Sequence, residues 1–139
     1  MEAVSDTWLS TRQAYALAVV GLVGEGLLLA FLDPRPAVVV LGLLVAMIYG
    51  VYLGFALMRG DVRDVAIESG FVVLGVGLAV LGLLVDPSWI GIALILHGVW
   101  DLLHHRARHV VGVRGVPRWY IPFCAAFDIP AGVLAFLLL

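Results

Sequence analysis

The sequence predicts an all-α integral membrane protein: a single domain over residues 1–139 built as a bundle of five transmembrane helices, N-terminus cytoplasmic and C-terminus outside. Three observations predict it. Hydrophobic residues make up 63% of the chain and charged ones 13%, against roughly 25% charged in a soluble domain, so too few polar side chains exist to coat a water-soluble globule. The apolar residues fall into five runs, each near the ~20 needed to span a bilayer, and the mean hydropathy is +1.12. Arginines flank the runs unevenly: Arg12, Arg59, Arg63, Arg106, Arg108, Arg114 and Arg118 on one side, Arg35 alone on the other. The positive-inside rule makes the richer side cytoplasmic, and a prokaryotic cytoplasmic membrane is the expected location.

The first helix is expected over 13–32, closed by Asp33-Pro34-Arg35-Pro36, whose prolines stop it. The second, 37–58, carries no charge, and the third, 62–85, is interrupted, beyond the flanking Arg63, only by Asp64 and Glu68. Asp86-Pro87-Ser88 forms the next turn, with Pro87 suited to begin a helix. The fourth, 89–106, turns polar in its last two turns, and the fifth covers 118–139. Trp89, Trp119 and Tyr120 fall at expected membrane–water interfaces. Residues 107–117 form the longest loop, placed in the cytoplasm. Glycines in the first and third helices, Gly21 and Gly75 among them, suit close packing of membrane helices.

Composition also excludes. A net charge of −2 provides no basic surface for nucleic acid. Cys124 is the only cysteine, which rules out an intrachain disulfide and a multi-thiolate metal site; on its own it reads as a small packing residue. Glu2 and Asp6 stand where a cleavable signal would be positive.

Ionisable residues inside a membrane are costly and usually face the bundle interior or a cavity. The richest stretch is His97-Gly98-Val99-Trp100-Asp101-Leu102-Leu103-His104-His105. At about 100° per residue, His97, Asp101, His104 and His105 share one face while Leu102 and Leu103 point elsewhere. Counting rise from the cytoplasmic ends sets Glu68 of the third helix and Asp128 of the fifth at the height of His97 and Asp101, with His104 below. Glu25 lies deeper, and Tyr49 and Tyr52 are its neighbours on the second helix; whether these three and Cys124 join the site stays open. Histidines at a helix end also settle among lipid headgroups, so His104, His105 and His109 stand between ligand and interface residue.

Carboxylates at this density repel unless a proton or a cation intervenes. Imidazole and carboxylate donors suit a divalent metal, zinc or iron. The expected ligands are His97, Asp101, His104 and His105, with Asp128 and Glu68 as catalytic groups or further ligands. The spacing His-x3-Asp-x2-His-His has the look of the histidine boxes of membrane diiron enzymes, which use several boxes where this chain has one.

The stretch from His97 to Gly132 resembles a group of small uncharacterised bacterial membrane proteins. Their shared pattern is His-x2-Trp-Asp-x2-His-His, a proline-containing loop, then Cys-x3-Asp; here it is carried by His97, Trp100, Asp101, His104, His105, Pro117, Cys124 and Asp128. The resemblance implies that these residues form one site and implies no chemistry.

The leading expectation is therefore a membrane-embedded metalloprotein, an enzyme of the hydrolase or oxidase class acting on a lipid or isoprenoid. The alternatives are a proton- or ion-conducting subunit, a haem-binding membrane protein, and a structural partner whose polar residues lock helices together. The chain is also compatible with a homo-oligomer.

Overall fold

The computed structural model describes residues 9–106 and 116–139. Glu2, Asp6, Arg108, His109 and Arg114, and most of the expected 107–117 loop, lie outside the described residues. Within them the protein is all-α, with five helices: α1 (Thr11–Phe31), α2 (Pro34–Arg59), α3 (Val62–Leu84), α4 (Ser88–Arg106) and α5 (Tyr120–Leu138). Four of these, α1, α2, α3 and α5, are long and apolar enough to cross a membrane. The polar residues of its second half set α4 apart.

The boundaries follow from local chemistry. α1 opens on a reciprocal cap: Gln13 N–H donates to Ser10 Oγ at 3.3 Å and Ser10 N–H to Gln13 Oε1 at 2.8 Å. α2 begins at Pro34 rather than Ala37. The prolines that end α1 also start α2, because a first-turn proline lacks only an N–H that would have no helical partner and already holds a helical φ. α3 opens the same way as α1, with Asp64 N–H donating to Asp61 Oδ1 at 3.0 Å and Asp61 N–H to Asp64 Oδ2 at 3.2 Å. Asp64 is thus a capping residue in the first turn of α3. At the α3–α4 turn, Ser88 N–H donates to Asp86 Oδ1 at 2.8 Å. Hydrogen bonds from the Ser88 hydroxyl and N–H hold the exposed Asp86 carboxyl below its ordinary value of 3.8. Pro130 lies inside α5, which continues through it.

Successive helices run antiparallel. Gly42 and Gly82 both lie beside the start of α4 near Ile90, while at the other end Tyr52 meets Asp101 and Glu68 meets His104. α4 is the hub: it packs most extensively on α5 and also touches α3 and α2, whereas α1 lies outermost, held mainly by α5. The buried core gathers Val45, Tyr49, Ile90, Ala93, Leu94 and Ala131. Large apolar side chains such as Val20, Leu43, Val73 and Leu137 point outward, as expected of surfaces that meet acyl chains rather than water.

Near the Asp86 turn α4 and α5 approach backbone to backbone. A Cβ on Gly91 would sit 2.6 Å from the Gly132 carbonyl oxygen, and one on Gly132 would sit 2.6 Å from that of Gly91. Only glycine fits at both positions. This small-residue seam is how membrane helices gain dispersion contact without a hydrophobic driving force.

Candidate metal centre

The polar face of α4 is turned inward. His97 and Asp101 are completely buried and His104 nearly so. Asp128 of α5, Glu68 of α3, and Tyr49 and Tyr52 of α2 are buried beside them. Each is delivered by a helix whose opposite face is apolar, so the polar centre is enclosed by the bundle.

Around His97 the contacts are specific. Its Nε2 lies 3.1 Å from the carbonyl oxygen of Ile48. A carbonyl can only accept, so Nε2 carries the proton and donates. Nδ1 is then the nitrogen turned toward acids: Asp128 Oδ2 lies at 2.7 Å and Asp101 Oδ2 at 3.4 Å. Asp101 Oδ1 accepts the Tyr52 hydroxyl at 2.7 Å. Asp101 Oδ2 is buried with no hydrogen-bond partner, His97 Nδ1 standing 3.4 Å away.

Donor atoms from His97, Asp101 and Asp128 all lie within 4.8 Å of one another. The group could hold a metal. Around a tetrahedral zinc the donor–donor separation would be about 3.3 Å, so the two measured separations, 2.7 and 3.4 Å, bracket that spacing. Bonds from outside also orient the donors: Nε2–H to Ile48 leaves the Nδ1 lone pair available, and the tyrosine hydroxyl fixes the Asp101 carboxylate plane. Such outer contacts are the usual companions of metal-binding histidine and carboxylate groups.

Glu68 and His104 form a second, separate pair. His104 Nε2 and Glu68 Oε1 share a hydrogen bond at 2.9 Å, while His104 Nδ1 donates to the Trp100 carbonyl at 2.9 Å. Glu68 Oε2 accepts the Trp100 indole N–H at 3.2 Å. All hydrogen-bonding atoms of this trio are engaged. The two pairs touch through aromatic rings: Tyr52 stacks on His104 with centroids 4.0 Å apart, and Phe71 stacks between Tyr49 and Trp100 at 4.4 and 4.3 Å.

The remaining sequence candidates divide. His105 is exposed and takes no part in either pair. Cys124 is buried one turn before Asp128. Glu25, on α1, is 5% exposed, and neither of its carboxylate oxygens has a hydrogen-bond partner. Tyr49 donates to the Ala93 carbonyl at 2.7 Å and serves as a wall. One participant escaped sequence reasoning: the Ile48 carbonyl carries no sequence signal at all. Trp100 stood in the pattern of the resemblance without a role; at about 100° per residue it lies within 40° of His104 on the α4 face, which brings its indole to Glu68.

No curated protein and no solved structure matches the chain. The sequence profile described as the family of unknown function DUF6010 matches residues 13–137. The match takes in all the residues of both pairs, and the chain belongs to that family.

Proposed function

We propose that His97, Asp101 and Asp128 bind one divalent metal ion inside the membrane. The observation that carries this reading is the buried Asp101 Oδ2 without a partner, beside an imidazole whose other nitrogen is committed to Ile48. Charge supports it. Two ionised carboxylates with a neutral imidazole sum to minus two, and even an imidazolium would leave minus one in a medium that penalises net charge. A divalent cation on neutral His97 brings the sum to zero.

In this reading all five helices span the membrane, α4 being carried across by its enclosure among the others. The arginine-bearing end, with Arg12, Arg59, Arg63 and Arg118, faces the cytoplasm of a prokaryotic cell. Zinc and iron both suit the donor set. Three protein donors leave a coordination position open, and a metal at such a site lowers the pKa of bound water toward neutrality. A metal-dependent hydrolase or oxidase of a lipid or isoprenoid is the activity that such a position supports, with His104 and Glu68 as a neighbouring acid–base pair rather than as ligands.

Metal analysis of detergent-purified protein tests the reading. Near-stoichiometric zinc or iron is expected in the wild type and background levels in His97→Ala and Asp128→Asn. A metal-free wild type, or variants that retain the metal, would refute it. Proton conduction is the second reading, favoured by the unpartnered Glu25 carboxyl. Proton flux in proteoliposomes that vanishes in Glu25→Gln, from protein free of metal, would put it first.

A further inference from the structure

A groove of about 550 Å³ opens between α1, α4 and α5, on a face of α4 and α5 adjacent to the one that carries the buried polar centre. Its lining is graded. At the arginine-bearing end stand Arg118, His105, Thr11 and Tyr15; farther in, Leu102, Ile121, Ala125 and Ile129 continue it. Arg118 and His105 are both exposed. Among the described residues the Arg118 guanidinium forms no ion pair. α5 also begins here without a side-chain cap, which leaves the positive end of its dipole at the mouth. From Arg118 to Ile129 the chain climbs roughly 16 Å, about half the hydrocarbon thickness.

We propose that this groove binds one anionic phospholipid from the leaflet at the arginine-bearing end. The headgroup phosphate pairs with Arg118 and, when protonated, His105, while Thr11 and Tyr15 offer hydroxyl donors. One acyl chain lies along Leu102, Ala125 and Ile129. The argument is charge complementarity joined to a polar-to-apolar gradient. A free phosphate would use the mouth and leave the apolar length empty, and a zwitterionic lipid would place its own cation against the arginine. Basic pockets between membrane helices are a known means of recognising anionic headgroups. The inference does not rest on the metal reading, since none of the three proposed ligands lines the groove.

The test is native mass spectrometry of the full chain in detergent, with phosphatidylglycerol and phosphatidylcholine of identical acyl chains. Wild type is expected to retain the anionic lipid preferentially, and Arg118→Gln to reduce that preference about fivefold, the effect of one basic residue near an anionic surface. Because Arg118 is exposed, the substitution leaves folding intact. Arg35→Gln, at the other end of the bundle, is expected to change nothing. Ala125→Trp, which fills the apolar length, is expected to lower retention of both lipids. Equal retention of the two lipids, an equal loss in Arg35→Gln, or displacement of the bound lipid by millimolar inorganic phosphate would each overturn the proposal.

Discussion

Where α4 leaves the Asp86 turn it lies against α5 backbone to backbone, Gly91 facing Gly132. Between one and three turns farther along, the same helix meets its neighbours through imidazole, carboxylate, phenol and indole groups. The two ends thus associate by different forces. The glycine end gains dispersion from close approach and contributes no polar group, so it is sensitive to volume. The polar end is held by hydrogen bonds, so it tolerates substitutions of equal shape and is sensitive to charge and proton count. The difference teaches that α4 and α5 have a close-packed contact that uses no polar side chain, apart from the one made by His97 and Asp128.

The largest expected effect tests the volume side. Gly91→Leu drives a side chain into the Gly132 carbonyl and the Phe136 backbone, neither of which can rotate away. Folded protein is expected to be lost, with a destabilisation above about 4 kcal/mol, read as yield of monodisperse protein in detergent. Recovery of a well-folded variant would mean that the seam is not close-packed. Next comes Asp128→Asn, which keeps the shape of the side chain and removes its charge. It should abolish bound metal while the glycine end still holds, and removing one partner of a buried pair costs about 3–5 kcal/mol. Thermal unfolding alongside metal content separates the two consequences.

Tyr52→Phe is a finer probe of the polar end. It deletes the hydroxyl that donates to Asp101 and leaves the ring on His104. Metal affinity should fall about 10–100-fold, with a stability loss near 1.5–3 kcal/mol for a hydrogen bond to a charged group. Unchanged affinity would detach Asp101 from the centre. The smallest effect belongs to the turn at the glycine end. Asp86→Ala removes the acceptor for Ser88, and a slightly lower midpoint is expected at neutral pH. The Asp86 carboxyl is held below its ordinary 3.8, so its contribution is fully present above that value and fades as pH falls through the lowered one. The difference between wild type and Asp86→Ala should therefore shrink in acid; a constant difference would show that the carboxylate is not what caps the turn.

Much of this comparison was legible in the sequence, for physical reasons. Hydropathy runs and proline turns mark helices in lipid because every backbone group must be satisfied within its own helix. The angular clustering of His97, Asp101 and His104 followed from helical geometry alone. Rise per residue put Asp128 at the height of His97, which it meets; it put Glu68 there too, whereas Glu68 meets His104, about 10 Å farther along α4. Partner choice was not legible. That His104 takes Glu68 while His97 takes Asp128 depends on how α3 and α5 are rotated about their axes and shifted along them, which a sequence fixes only through packing. His105 illustrates the limit: it shares the broad face with Asp101, yet the closeness of α5 leaves it on the groove side. Asp64 shows another limit: it stood in the sequence only as an interruption of the third apolar run, and its capping role at the start of α3 is one that hydropathy does not see.

The contact of Gly91 with Gly132 has one more consequence. It works as a datum that indexes the two helices, with Asp128 one turn from it along α5 and His97 between one and two turns from it along α4. A single residue inserted between Asp128 and Gly132 would leave the datum in place yet swing the carboxylate by about 100° and displace it by about 1.5 Å, enough to carry it off the imidazole. The distance between these landmarks is thus as much a part of the centre as the donor atoms themselves.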